Sequence, residues 1–177
     1  MEAANLAPTS EGSPHQAALD LLPSTLAVLC AGNDQRRTGL IVESALWIPT
    51  EPPTVAVALR AGHRIEPLIR DTRAFALCPI HAGDRLLLKR FGAGARESAD
   101  PFDCFRVERL ATGSPCLTRA QGAIDCELIR HIDLDMGMTM YVGRVLASRR
   151  YDGVDTSASR LKASLDEHCN HDSLLAS

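Results

Sequence analysis

Hydrophobic and polar residues alternate over several short stretches of this chain, a pattern typical of half-buried β-strands. In the clearest stretch, residues 55–59, valine and leucine at every second position alternate with alanine. Other short apolar runs end at turn residues, and two of them flank the turn Gly-Asn-Asp-Gln at 32–35, which predicts a β-hairpin. We expect about six strands, over residues 25–31, 37–42, 55–59, 74–80, 124–128 and 139–148.

Helical patterns are fewer and shorter than strand patterns. The expected helices cover residues 15–22, 64–71, 83–91 and 156–168. A long loop rich in Gly, Ala and Ser is expected over 92–104. Because strands outnumber helices and do not alternate regularly with them, the pattern predicts a mainly β fold. We expect a β-barrel with short helices rather than a doubly wound α/β fold.

The 177 residues have the length of one domain. Residues 1–14 are rich in Ala, Pro, Ser and Glu without periodicity, and we expect a disordered leader there. The folded domain is expected over 15–150, followed by a C-terminal helix and polar tail over 151–177.

Composition excludes several classes of protein. Hydrophobic residues make up 45% and charged residues 23%, so the chain is globular rather than wholly disordered. The net charge of −3 offers no basic excess for neutralising phosphates, so we expect no nucleic-acid partner. No apolar run approaches the roughly 18 residues of a membrane span, so no membrane partner is expected.

The six cysteines form no C-x-x-C pair and have no zinc-site spacing. No secretory signal precedes them, because the apolar run at 21–30 lacks a positively charged leading region. We therefore expect mostly buried free thiols and a cytoplasmic protein.

Motifs of several well-known reaction classes are absent. The chain has no G-x-G-x-x-G after a strand, no P-loop, no G-x-S-x-G and no H-E-x-x-H. A Cys–His nucleophile would require a proximity that the sequence does not define. The segment 166–172 holds two His, one Cys and three carboxylates, which could bind a soft metal, but we interpret it as a solvated polar tail and predict no metal.

An ordered set of short motifs resembles the flavin-reductase-like family. Residues 39–53 have the sequence GLIVESALWIPTEPP, which is similar to the family segment G-M-T-x-S-S-F-x-S-V-S-x-x-P-P. HQAALDLLPSTLAVLCA before it resembles the family's opening helix and first strand. The other similar segments are TVAVALRAGHRIE at 54–66, FALC at 75–78, RF at 90–91, GSP at 113–115 with Leu117, IDCE at 124–127 and YVGRV at 141–145. The likeness covers residues 15–149.

This resemblance implies an FMN-binding split β-barrel that forms a homodimer with the flavin near the subunit interface. It also implies an NAD(P)H-dependent flavin reductase, in which NADH or NADPH gives hydride to FMN or FAD. Reduced flavin would then pass to a partner flavin-dependent monooxygenase. The flavin carries the chemistry in such a protein, and the chain supplies position and electrostatics.

The resemblance also implies the site residues. The flavin-binding segment corresponds to Ile41, Val42, Glu43, Ser44 and Ala45, with Ser44 matching a family hydroxyl. His63 and Arg64 correspond to the basic turn after a strand, where Arg64 would contact the flavin phosphate. Met138 would lie near the nicotinamide, and no catalytic residue is assigned.

Four of these positions depart from the family pattern. Ile41 replaces a Thr, Glu43 a Ser and Ala45 a Phe, and the family's G-D-H segment corresponds to Met-Gly-Met ending at Met138. Glu43 adds a negative charge where an anionic ligand would lie, and Met138 cannot donate a hydrogen bond or take a proton. Two alternatives therefore stay open: a flavin-binding or repurposed split barrel without reductase activity, and a non-flavin interaction module.

Overall fold

The computed structural model describes residues 21–92 and 100–151, which contain nine strands and two helices. The helices are α1 (Ile65–Thr72) and α2 (Arg85–Phe91). The strands are β1 (Ala27–Gly32), β2 (Arg37–Val42), β3 (Ala45–Ile48), β4 (Thr54–Arg60), β5 (Ala74–Pro79), β6 (Val107–Arg109), β7 (Pro115–Leu117), β8 (Gly122–Asp133) and β9 (Met138–Arg150). The predicted mainly β fold is confirmed.

Seven of the strands form one antiparallel sheet, in the order β2-β1-β5-β8-β9-β4-β3. The sheet's two edge strands, β2 and β3, follow each other in the chain and are joined through Glu43 and Ser44. Within the described ranges, no ladder pairs β2 with β3, and a single bridge links Thr25 to Ser44 at this opening. The predicted barrel is therefore split rather than closed by hydrogen bonds.

The sheet encloses one apolar cluster, and α1 packs against it through Ile65, Leu68 and Ile69. A second cluster lies on the other face of β1 and β5, where α2 and β7 cover them. All six residues of β1 are buried, because this strand has a packed layer on both faces. This explains why β1 is a continuous apolar run and does not alternate as β4 does.

The structure differs from the sequence-based prediction in the number and length of strands. The predicted hairpin, the strand at 55–59 and the helices at 64–71 and 83–91 are confirmed within a few residues. Strands β3, β6 and β7 were not predicted, because each has only three or four residues. β8 runs to Asp133, well past the predicted end at 128, since pairing with β9 rather than burial maintains its exposed outer half.

The cysteine prediction agrees with the part of the chain that the structure describes. Cys30, Cys78, Cys116 and Cys126 are buried free thiols, and Cys104 is exposed. Burial, together with the Asp125 carboxylate, raises the pKa of Cys126 to about 12. A thiol with a raised pKa holds its proton, so Cys126 is a core residue rather than a nucleophile.

Several predictions lie outside the described residues. These are the leader at 1–14, most of the helix at 15–22, the helix at 156–168 and the polar segment at 166–172. The domain boundaries therefore stay predictions. Among the helices that are described, none has the length and apolar character needed to cross a membrane.

Candidate functional site

A cavity of about 580 Å³ lies at the opening between the end of β2 and the end of β4. Ligand sites in proteins commonly have volumes of about 300–1,000 Å³. Its walls come from four separated parts of the chain, and they are mainly apolar. The lining residues are Leu40, Ile41, Val42, Glu43, Ser44, Ala58, Leu59, Arg60, His63, Phe91, Gly92 and Met138.

Six of the eight residues named from the sequence line this one cavity: Ile41, Val42, Glu43, Ser44, His63 and Met138. The other two do not line it. Ala45 is half-buried and packs against the cluster inside the sheet, because its pairing with Val57 turns it inward. Arg64 is exposed and is the N-cap residue of α1, directly after His63. The contacts of all eight with a ligand stay predictions.

The segment that joins β2 to β3 brings a carboxylate and a hydroxyl to the cavity. Glu43 and Ser44 are both exposed. The Ser44 hydroxyl donates a hydrogen bond to the backbone carbonyl of Ala58 on β4. This bond ties the free end of β2 to β4 across the opening, so the Ser44 oxygen can offer a ligand only its lone pairs while the bond lasts.

His63 is held by two hydrogen bonds at the start of α1. Its backbone N–H donates to Oε1 of Glu66 at 2.9 Å, and its ring Nδ1 accepts from the backbone N–H of Ile65 at 3.2 Å. Because Nδ1 is an acceptor, the proton of the neutral ring sits on Nε2. His63 therefore lines the cavity with its ring in the Nε2–H form.

Arg60 and Met138 face each other in the register between β4 and β9. The residue after β4 is also hydrogen-bonded to the residue before β9, since the Ala61 N–H donates to the Gly137 carbonyl at 2.9 Å. The hydrogen bonds of the sheet therefore hold this edge of the cavity in place. Sequence reasoning missed Arg60, although a charged residue ending an alternating strand was a usable signal.

Phe91 forms the apolar wall at the end of α2. It is 3% exposed, and its ring stands edge-on to Phe102 with the ring centres 5.2 Å apart. A Cβ at Gly39 would lie 3.0 Å from the Phe91 ring, so the glycine allows the ring to approach β2 closely. The Arg-Phe motif pointed to this position, but Phe91 was not among the predicted site residues.

The charges around the cavity are mixed. The lining includes the Arg60 guanidinium and the Glu43 carboxylate, together with the His63 imidazole. The apolar walls suit a flat aromatic molecule, and the donors suit an anionic or carbonyl-bearing group. No group of three or more metal-ligating side chains occurs within 21–92 and 100–151.

Comparison with known proteins gives consistent matches. A family model described as "Flavin reductase like domain" matches residues 19–160, which is more than half of the chain. The FMN reductase (NADH) RutF of Escherichia coli is 23% identical over 111 residues, covering 63% of this chain and 67% of that protein. A Synechocystis protein named as a diflavin flavoprotein is 24% identical over 83% of this chain. The chain spans only a quarter of the length of that relative.

Solved structures share the fold. The crystal structure of a homolog of nitrilotriacetate monooxygenase component B from Mycobacterium thermoresistibile has a TM-score of 0.69 and 19% sequence identity. The match covers 78% of this chain and 75% of the other. At this level of identity the similarity concerns the fold, and it agrees with the split seven-stranded sheet described above.

Proposed function

Because the chain belongs to the family of flavin reductase like domains, we propose that it is an NAD(P)H-dependent flavin reductase that transfers hydride to FMN or FAD. One observation carries the proposal. Residues that resemble the family's flavin segment, its basic turn and its nicotinamide-side loop come from distant parts of the chain, and the fold brings them to one cavity.

The residues present fit a flavin. The cavity has the volume of a typical ligand site, and Ile41, Val42, Leu59 and Phe91 offer apolar surface for a flat ring system. Arg60 and His63 place donors at the same cavity for an anionic tail. When bound, the flavin supplies the two-electron acceptor that hydride transfer requires.

The chain's own part in the reaction is binding and orientation. Apolar walls exclude water from the bound ring and hold it for an approaching nicotinamide. Met138 packs at the cavity edge and has no proton to give, so no acid–base step is assigned to it. Hydride transfer itself needs no protein acid or base, which makes the loss of the family's His at this position compatible with activity.

The alternative is a flavin-binding or repurposed split barrel that lacks reductase activity. Glu43 favours it, because this carboxylate is on the cavity wall where an anionic ligand would be repelled. Ala45 favours it as well, since its small side chain packs inward and leaves the wall without the family's aromatic ring.

Titration of the purified protein with FMN and FAD, followed by flavin fluorescence, tests the proposal first. We expect saturable binding in the micromolar range, and then oxidation of NADH or NADPH that depends on added flavin. Binding without such oxidation would support the alternative. Failure to bind either flavin would contradict the proposal and support the repurposed form of the alternative, with a different ligand in the same cavity.

We further propose that the reduced flavin passes to a partner flavin-dependent monooxygenase. The similarity in fold to a monooxygenase component B supports this partner class.

We also propose that the protein is cytoplasmic. The buried free thiols of the described residues fit the reducing conditions of the cytoplasm.

We also propose that the chain forms a homodimer through the outer face of β3, β4 and β9. Leu46 pairs with Ala56, which pairs with Val142, and this row points away from the inner cluster. Leu46 is 61% exposed, an apolar side chain that a second copy would cover. Light scattering after gel filtration should give a dimer for the natural chain and a monomer for Leu46→Glu, while Leu86→Glu on α2 stays dimeric.

Substituting Arg64 by alanine is expected to weaken FMN binding while leaving riboflavin binding unchanged. A charge-assisted hydrogen bond to a phosphate is worth about 1.5–3 kcal/mol, and riboflavin lacks the phosphate. Equilibrium titration of the variant with both flavins measures the difference. Equal losses of affinity for FMN and riboflavin would show that Arg64 does not contact the phosphate. A selective loss in Arg60→Ala alone would assign the contact to Arg60, which lines the cavity.

Substituting Glu43 by serine is expected to tighten FMN binding by roughly threefold to tenfold at low salt, with little change for riboflavin. The reason is the removal of a carboxylate from the wall that a phosphate approaches, and the effect should shrink as salt screens the charges. Glu51→Ser serves as the control, since Glu51 is exposed beyond the far end of β3. Unchanged FMN affinity would place Glu43 away from the ligand.

A further inference from the structure

Glu66 is a buried carboxylate that is hydrogen-bonded to His63, a residue of the cavity wall. It is the second residue of α1 and only 8% exposed. Oε1 accepts the backbone N–H of His63 at 2.9 Å, and Oε2 accepts the hydroxyl of Tyr141 at 2.8 Å. One side chain therefore connects the cavity-lining turn to the centre of the sheet.

Burying this carboxylate costs folding free energy. None of the ion pairs found within the described ranges includes Glu66. Two hydrogen bonds and the positive end of the α1 dipole offset the cost in part. An apolar side chain could fill the same space more cheaply, so the arrangement points to a role for the carboxylate oxygens themselves.

Tyr141 gives the carboxylate a rigid partner. It is fully buried on β9, between Val57 of β4 and His131 of β8, and the His131 ring lies 5.0 Å from its own. Burial and the neighbouring Glu66 carboxylate raise the pKa of Tyr141, so the phenol keeps the proton that it donates. The sheet thus defines where Glu66 Oε2 sits.

His63 takes its position from Glu66. The bond to its backbone N–H holds the turn before α1, and that turn brings Nδ1 of His63 to the Ile65 N–H. Loosening the first bond removes the constraint on the second. Without an N–H donor at Nδ1, the turn no longer selects between the two neutral tautomers of the imidazole.

We propose that Glu66 and Tyr141 are positioning residues, which hold His63 at the cavity wall in the tautomer that carries its proton on Nε2. In that form the ring presents a donor, not an acceptor, at Nε2. The identity of the ligand rests on the proposed function, whereas the tautomer of His63 does not.

The first measurement is a long-range ¹H–¹⁵N correlation spectrum of the histidine rings in the ligand-free protein, with His63 assigned by His63→Gln. The natural chain should show the Nε2–H tautomer of His63. Tyr141→Phe and Glu66→Leu should shift it towards a mixture. Thr112→Val is the matched control, because it also removes a hydroxyl donor from a buried carboxylate, that of Asp125. An unchanged His63 tautomer in Tyr141→Phe, the variant that keeps its volume, would overturn the proposal.

The second measurement is FMN affinity. Glu66→Leu should weaken it on the order of tenfold, whereas Glu66→Gln, which keeps an acceptor for the His63 N–H, should stay within about threefold of the natural chain. Equal losses in the two variants would contradict the positioning role. If the natural chain binds no FMN while the tautomer still shifts, the proposed function fails and the positioning of His63 stands.

Discussion

Phe91→Ala is expected to lower the free energy of unfolding by about 3–5 kcal/mol, the usual cost of removing a buried phenylalanine ring. The ring is 3% exposed and lies against both Phe102 and Phe105, with ring centres 5.2 and 5.7 Å away. Its loss leaves a void between α2 and β2. Chemical denaturation followed by circular dichroism measures the change.

Phe91→Leu separates stability from binding, because it keeps most of the apolar volume and should cost less than about 1.5 kcal/mol. This variant should remain folded while its FMN affinity falls, since Phe91 lines the cavity. Phe105→Leu provides the control: it changes the same aromatic cluster at a residue that does not line the cavity. Equal affinity in both variants would show that the ring does not contact flavin.

Gly143→Ala is the second change with a large expected effect, a loss of about 2–3 kcal/mol in the free energy of unfolding. A Cβ at this position on β9 would lie 2.6 Å from the Phe75 ring and 2.8 Å from the Cys126 Cβ. Both neighbours are fully buried, so neither can move without disturbing the inner cluster.

Two further variants test that explanation. Gly83→Ala meets no atom within 4 Å and should change stability by less than about 0.5 kcal/mol. Phe75→Leu should make the alanine at 143 less harmful, so the double variant should be more stable than the sum of the single effects predicts. Strict additivity would mean that the ring is not what the new methyl group meets.

The strands that could be predicted from sequence are those with a strong apolar signal of their own. β4 alternates because one face is buried, and β1 is continuously apolar because both faces are. The outer half of β8 carries no such signal. Arg130 and His131 lie there in the ladder with β9, so only the pairing partner determines their structure.

Part of the candidate site was predictable for a different reason. Ile41 to Ser44 and His63 stand in stretches that resemble the family, so the resemblance assigned all of them to one site. Arg60 and Phe91 reach the same cavity through the β4–β9 register and the packing of α2 on Gly39. Those contacts join Arg60 to Met138, 78 positions apart, and Phe91 to Gly39, 52 positions apart, which the periodicity along the chain cannot predict.

The buried carboxylate illustrates the same limit. Glu66 has the sequence position of an ordinary helix-start acid, and nothing local distinguishes it from a solvated one. Its partner Tyr141 lies 75 residues later on β9. Only the packing of α1 against the apolar cluster inside the sheet brings the two groups together.

The exposed edge of β3 has a consequence for spectroscopy. Trp47 is the only tryptophan of the chain, and it is 65% exposed in the single subunit. Its indole meets water in the folded monomer much as it does in an unfolded chain, so its emission is a poor reporter of unfolding. The same emission should shift to the blue when another surface covers β3. Intrinsic fluorescence would therefore follow the covering of the β3 edge rather than the folding of one subunit.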